Sequence, residues 1–170
     1  MKKPDWPIKG YTAAFHNHSI DLALEHRGFT KGMIVFAVPD FGVLFRCRAQ
    51  GSVIDLEFGA FFALLRFVKT RFSDVNVGPL QVFSSNPEFV FSFTGKSRHL
   101  TQQDERVRLL AEYSKHFKLS VVFVEAIENK ALVSPADYPS LPRGAEINLR
   151  PTKEDFEKSA FRPFQKGLVL

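Results

Sequence analysis

Three segments near the start of the chain are rich in apolar and β-branched residues, a pattern typical of strands in a sheet with one buried face. A polar, proline-containing lead-in precedes them, and Asp40-Phe41-Gly42 marks a tight turn between the second and third segments. The pattern predicts an antiparallel meander with strands at Lys9–His18, Gly32–Pro39 and Val43–Ala49.

A long helix is predicted after the meander. Ser52 is followed three positions later by Asp55, which is close to a capping box, and positions 53–72 are rich in Leu, Ala and Phe. Apolar residues fall on nearly every face of this segment. A helix of that kind is central, so we expect the sheet to cover one side of it and another helix to cover the other.

The second half of the chain alternates between strands and helices, with strands predicted at Leu80–Ser84 and Leu119–Val124. Asn86 and Pro87 are a strong helix start, because asparagine caps helix N-termini and proline favours the first helical position. A further helix is predicted after Thr101. Its expected buried face, which excludes Arg106 and Arg108, consists of Val107, Leu110, Ala111, Ser114 and Phe117.

Taken in order, these elements predict an α/β fold. The sheet is mixed and five-stranded, built from a three-strand antiparallel meander and two helix-connected strands, with helices on its faces. The 170 residues, 45% of them hydrophobic, suit one globular domain with a sizeable core. We expect a lead-in over residues 1–9, the domain over residues 10–142 and a C-terminal extension over residues 143–170.

Cysteine content, hydropathy and charge indicate the cellular compartment and the class of binding partner. Cys47 is the single cysteine, so the fold does not rely on a disulfide, and no stretch approaches the roughly 20 apolar residues of a membrane span. We therefore expect a cytoplasmic protein without membrane contact.

The net charge of +5 favours polyanions such as nucleic acid. Four basic residues mark where a nucleic-acid backbone would lie, with a solvated charged loop as the alternative: Lys96, Arg98, His99 and Arg106.

Four short stretches carry a resemblance to a known family. They are Phe15-His16-Asn17-His18-Ser19, Leu56-Glu57-Phe58, Ser85-Asn86-Pro87, and Asn129 with Ala136-Asp137. In order and position they resemble the site motifs of ribonuclease H, which are of the types Phe-Thr-Asp-Gly-Ser, Met-Glu-Leu, Thr-Asp-Ser and Asn…Ala-Asp. The resemblance spans roughly residues 10–141 and implies the ribonuclease H-like fold.

The resemblance also implies a site. Members of that family cleave the RNA strand of RNA–DNA hybrids with two divalent ions held by four acidic groups. Here Glu57 and Asp137 match acidic positions, whereas Asn17 and Asn86 stand where aspartates are needed. Because a neutral amide holds Mg²⁺ or Mn²⁺ less well than a carboxylate, weak metal binding and low or absent nuclease activity are expected.

Each of these residues has a structural alternative. Glu57 lies near a helix N-terminus, where the helix dipole favours a negative charge. Asn86 is explained by helix capping alone, and Asp137 could begin a final turn or helix. Asn17, at a strand end, suits a turn-forming hydrogen bond.

His16 and His18 form a second candidate site. On a strand both side chains point to the same face, so they could hold one transition metal. The other histidines do not extend the pattern, and a pair without a third ligand is usually incidental.

Three functions remain open. The first is a ribonuclease H-like domain with a degenerate two-metal site that binds nucleic acid or acts as a scaffold. The second is an active nuclease on RNA or RNA–DNA hybrids, with Mn²⁺ held by Glu57, Asp137 and either His16 or His18. The third is an interaction module, in which the phenylalanine-rich surface and the proline-rich passage that ends at Pro142 contact a protein partner or a second copy. Exposure of Phe89, Phe91 or Phe93 on one helix face would favour it.

Overall fold

The computed structural model describes residues 7–16, 30–72, 78–94, 105–132 and 146–148. Within these residues, one mixed sheet contains six strands in the order β5-β4-β1-β2-β3-β6. The strands are β1 (Ile8–His16), β2 (Thr30–Val38), β3 (Val43–Gly51), β4 (Pro79–Ser84), β5 (Lys118–Phe123) and β6 (Glu146–Asn148). The helices are α1 (Val53–Arg71), α2 (Pro87–Phe91) and α3 (Glu105–Ser114), with 3-10 turns at Pro39–Phe41, Ser92–Thr94 and Ala126–Glu128.

The predicted antiparallel meander is present as β1, β2 and β3. Tyr11 pairs with Ala37 across β1 and β2, and Val38 pairs with Val43 at the β2–β3 turn. Gly42 closes that turn with a φ of 63°, a left-handed conformation that glycine adopts without steric cost. The close spacing of β1 and β2 also requires glycine at position 32, because a Cβ there would lie 2.1 Å from the carbonyl oxygen of Phe15.

The two helix-connected strands are parallel to β1. β4 pairs with β1, and β5 pairs with β4 on the outer side. The carboxyl ends of β4 and β5 and the second half of β1 therefore meet at one edge of the sheet, where the ligand sites of open α/β sheets usually lie. The sheet also contains the short strand β6, which pairs in parallel with β3 and falls in the predicted C-terminal extension.

Helix α1 is the centre of the fold, as its apolar faces predicted. Ser52 and Asp55 form the expected capping box, in which Ser52 Oγ accepts from the Asp55 N–H and Asp55 Oδ2 accepts from the Ser52 N–H, both at 3.2 Å. Phenylalanine rings from α1 and from the residues after β4 fill the core beside it: Phe58, Phe61, Phe62, Phe89 and Phe93. No helix in the described residues is both long and apolar enough to cross a membrane.

The predicted buried face of α3 is confirmed for Phe117, which is buried, and for Leu110, which packs against the core, but the rest of the prediction is wrong. Arg106, Leu109 and Tyr113 are buried, while Ala111 and Ser114 are exposed. Arg106 is inside because its Nη1 lies 3.3 Å from Asp55 Oδ1 and its guanidinium lies 4.8 Å from the centre of the Phe58 ring. A buried charge is tolerated when it is paired in this way, and hydropathy along one helix does not show a partner on another.

Candidate functional site

A cleft of about 360 Å³ opens where the carboxyl end of β4 meets β1 and the start of α1. Among the described residues, its polar lining consists of Thr12, Glu57, Ser84, Ser85, Asn86 and Asn129. No lysine, arginine or histidine of the described segments lines it, and Glu57 is the one carboxylate among those that do. The described lining therefore carries no positive side chain and a single carboxyl group, in contrast to the basic charge of the whole chain.

Glu57 lies in the second turn of α1 and is only 5% exposed. Its Oε1 accepts a hydrogen bond of 3.3 Å from Asn86 Nδ2, and its Oε2 is buried without a partner in the described part of the chain. Burial raises the pKa of Glu57 from 4.5 to about 7, against the opposing effects of Asn86 and the Ala14 backbone N–H. At neutral pH the carboxyl group is therefore present in both its protonated and ionised forms.

Asn86 caps α2, as the sequence predicted. Its Oδ1 accepts a 3.1 Å hydrogen bond from the Phe89 N–H, and its own N–H donates to Ser84 Oγ at 3.1 Å. Because the cap needs an acceptor, it fixes which end of the amide faces Phe89, and the Nδ2 group is left to face Glu57. The side chain of Asn86 therefore caps α2 and contacts Glu57 in the cleft at the same time.

Asn129 lines the cleft but is absent from the predicted site set, as are Thr12, Ser84 and Ser85. It is 4% exposed and lies just after the 3-10 turn that follows β5. Its Nδ2 donates to the Thr12 carbonyl oxygen at 3.0 Å and to Ser85 Oγ at 3.1 Å, and its Oδ1 accepts from the Ala131 N–H at 3.0 Å. The sequence signal that could have identified Asn129 is its position after the fifth predicted strand. The family resemblance included Asn129 in the Asn…Ala-Asp pattern, but only Asp137 of that pattern was chosen as a site residue.

The structure places some of the predicted site residues and not others. It brings Glu57 and Asn86 into contact. Arg106 is 8% exposed and paired with Asp55, which removes it from the expected basic surface. His16 is described through its backbone as the last residue of β1, opposite Gly32. The remaining predicted residues lie outside the described segments: Asn17, His18, Lys96, Arg98, His99 and Asp137.

The predicted phenylalanine surface is largely internal. Phe89 is fully buried and Phe93 packs against the core, so neither is available for a partner. Phe91 is 61% exposed. These three rings therefore do not form one exposed face, and the proline-rich passage that ends at Pro142, the other part of the predicted interaction surface, lies outside the described segments.

The side chains of the described cleft offer few ligands for divalent ions. Among the described residues, no group of three or more His, Cys, Asp or Glu side chains could hold a metal ion. Both asparagine Oδ1 atoms already accept from backbone N–H groups, and both amide Nδ2 groups carry only donors. A Mg²⁺ ion requires several oxygen ligands, so the described part of the cleft does not fit a two-ion site.

The strand order, the central helix and the cleft at the ends of β1 and β4 define a ribonuclease H-like α/β fold. The chain is similar to LC11-RNase H1, whose crystal structure in complex with an RNA/DNA hybrid matches with a TM-score of 0.55 and 14% identity over 72% of this chain and 88% of that one. A second structure of LC11-RNase H1, isolated from compost by a metagenomic approach, gives a TM-score of 0.52 at 14% identity and covers 72% and 86% of the two chains. No protein-family model and no curated protein sequence matches this chain. At this level of identity the similarity establishes the fold.

Proposed function

We propose that this protein is a ribonuclease H-like domain with a degenerate two-metal site, and that it binds nucleic acid instead of cleaving it. The observation that carries the proposal is the hydrogen bond from Asn86 Nδ2 to Glu57 Oε1, over 3.3 Å. In this arrangement an amide donor occupies the space beside the carboxyl group, where a metal-dependent site would need a second acidic oxygen.

The contact disfavours a cation in two ways. The Nδ2 group directs the positive end of its N–H bond toward Glu57, so an ion would have to displace it. Burial of Glu57 also favours its neutral form, and a neutral carboxyl group binds hard cations poorly. Turning the Asn86 amide around would remove the α2 cap, because Oδ1 is the acceptor for the Phe89 N–H.

The β1 side of the cleft supports the same proposal. Its β1 lining residues are Thr12, Ala13 and Ala14, which precede Asn17 by several positions. The stretch Tyr11-Thr12-Ala13-Ala14 follows the order of the family's Phe-Thr-Asp-Gly motif, which places Ala13 at the aspartate position. On this correspondence the first acidic ligand is replaced by a methyl group, which removes a metal ligand from the cleft more completely than asparagine would.

Nucleic acid remains the partner that the charge favours. The chain carries a net charge of +5, and LC11-RNase H1, which shares the fold, was solved in complex with an RNA/DNA hybrid. Lys96, Arg98 and His99 stay the predicted backbone contacts, whereas Arg106 is not proposed because it is buried and paired. Contacts of this kind neutralise phosphates and release counterions, so the affinity should fall steeply with salt.

The deciding experiment measures binding and cleavage on the same RNA–DNA hybrid. We expect salt-dependent binding and no cleavage in Mg²⁺ or Mn²⁺. Cleavage that disappears in Glu57→Gln would establish the active, Mn²⁺-dependent nuclease instead. The absence of salt-dependent binding to single strands, duplexes and hybrids would exclude the nucleic-acid partner.

A further inference from the structure

Strand β5 is the outermost strand on one side of the sheet that the described residues form. It pairs with β4 in unbroken register and contains no proline, so its outer side presents a regular row of backbone N–H and C=O groups. Side chains are exposed along its whole length, at Lys118, Ser120 and Phe123. A regular and exposed edge of this kind is a template for pairing with another strand.

The direction of the backbone identifies which residues form this outer row. The N–H of Val124 donates to the carbonyl oxygen of Ser84 at 3.0 Å, so it points toward β4. Because successive backbone groups alternate in direction along a strand, those of Leu119, Val121 and Phe123 point away from β4. The side chains of these three residues lie on the face of the sheet that carries α1, where Leu119 and Val121 pack against the core.

A second copy of β5 fits this row in antiparallel orientation, with a twofold axis at Val121. In that register Val121 lies opposite Val121 of the second copy, and Leu119 lies opposite its Phe123. The outward N–H and C=O groups of both strands then face one another, as in the hydrogen-bonded pairs of an antiparallel ladder. The side chain of Phe123, which is 44% exposed, would cover Leu119 of the second copy in an aromatic–aliphatic cross-strand pair.

The charges at the two ends of β5 favour the antiparallel orientation. Lys115 and Lys118 lie at its start, Glu125 and Glu128 lie just beyond its end, and all four are exposed. Antiparallel pairing brings each basic end beside the acidic end of the second copy, whereas parallel pairing would bring like charges together. From these observations we propose that two copies of this chain form a twofold dimer through β5, in which their sheets join into one. The inference does not depend on the proposed function.

Sedimentation equilibrium of the full chain tests the dimer. We expect a mass that rises with concentration and levels off at twice the mass of one chain, because a twofold pair of edges closes at two copies. A chain that stays monomeric up to about 1 mM would overturn the inference. Open-ended association beyond a dimer would overturn it as well.

Two substitutions with matched exposure locate the interface. Phe123→Lys removes the cross-strand ring and adds a cation to β5, so dimerisation should weaken at least about ten-fold. The control is Leu44→Lys on β3, because Leu44 is 42% exposed and lies away from the proposed interface. This control should dimerise as the unaltered chain does. Equal weakening by the two variants would overturn the assignment to β5.

Charge exchange at exposed positions tests the orientation without touching the core. One chain carries Lys115→Glu and Lys118→Glu, and the other carries Glu125→Lys and Glu128→Lys. Each chain alone places like charges at both ends of the antiparallel pair, so its dimer should be weakened. Mixing the two should restore a dimer that contains one copy of each, which native mass spectrometry identifies. A mixed dimer no more stable than either dimer of identical chains would overturn the inference.

Discussion

Asn86 and Glu57 are 29 positions apart in the chain, and one hydrogen bond of 3.3 Å joins their side chains at the floor of the cleft. The same amide caps α2 through its oxygen. Glu57 therefore sits beside a group whose orientation the fold determines, and its protonation is governed by burial more than by a charged partner.

The stability of the protein should respond to the ionisation of Glu57. Because the pKa of Glu57 is raised to about 7 in the folded state, the folded chain binds this proton more tightly than the unfolded chain does. The stability that this group contributes is fully present below pH 4.5 and is lost as the pH rises to about 7. Glu57→Gln, which does not titrate, should gain up to about 3 kcal/mol relative to the unaltered chain between pH 4.5 and 8.

Urea unfolding of both chains at several pH values measures this difference. All other titrating groups are common to the two chains, so they cancel in the comparison. A stability difference that stays constant over this range would mean that Glu57 has an ordinary pKa.

Asn86→Asp should restore metal affinity without loss of the helix cap. Aspartate caps helices as well as asparagine does, so the free energy of unfolding at pH 7 should change by less than about 1 kcal/mol from loss of capping. A second carboxyl group beside Glu57 should raise the pKa of Glu57 further in the absence of metal. With Mn²⁺ present, the two carboxylates should bind the ion and raise the melting temperature.

The controls are the unaltered chain, for which Mn²⁺ should have no effect, and the double variant Asn86→Asp with Glu57→Gln, which should lose the Mn²⁺ response. Equal melting shifts in all three chains would show that Mn²⁺ acts elsewhere.

Arg106 and Arg108 form a matched pair on α3. Arg106 is buried with Asp55, whereas Arg108 is 65% exposed and paired with Glu105 of its own helix. Arg106→Met leaves the buried Asp55 carboxylate without its cation and should destabilise the protein by about 3 kcal/mol. Arg108→Met should cost less than about 0.5 kcal/mol, because exposed pairs within a helix are weak. Chemical denaturation of the two variants gives both values, and similar losses would contradict a buried ion pair.

Alanine substitutions at Gly32 and Gly10 test how closely β1 approaches strand β2 and helix α1. A Cβ at position 32 would meet the Phe15 backbone oxygen at 2.1 Å, whereas one at position 10 would meet the Leu64 side chain at 2.5 Å. Because a paired strand cannot yield as a flexible side chain can, Gly32→Ala should be the more destabilising, by about 2 kcal/mol or more. Thermal unfolding of both variants measures the order, and a larger loss for Gly10→Ala would reverse this interpretation.

Features set by neighbours in sequence were predictable. The capping box at Ser52 and Asp55 and the Asn86 cap depend on residues three positions apart, and the structure confirms both. The order of the strands and the central helix followed from apolar patterning, which reports burial directly.

Features set by distant partners were not predictable in the same way. The burial of Arg106 depends on its ion pair with Asp55, 51 positions away. The position of Asn129 in the cleft depends on its hydrogen bond to the Thr12 carbonyl oxygen, 117 positions away. The sequence did not single out Thr12, Ala13 and Ala14, the β1 residues that line the described part of the cleft, and its candidate Asn17 lies outside the described residues. Register along a strand is fixed by pairing with other strands, which a single segment does not reveal.

The double role of Asn86 has an evolutionary consequence. Asparagine and aspartate are equally good at starting a helix, so the requirement for the α2 cap does not distinguish between them at this position. The two residues differ sharply in what they offer a cation. A lineage could therefore gain or lose acidic chemistry at this cleft by a single substitution that leaves the α2 cap intact.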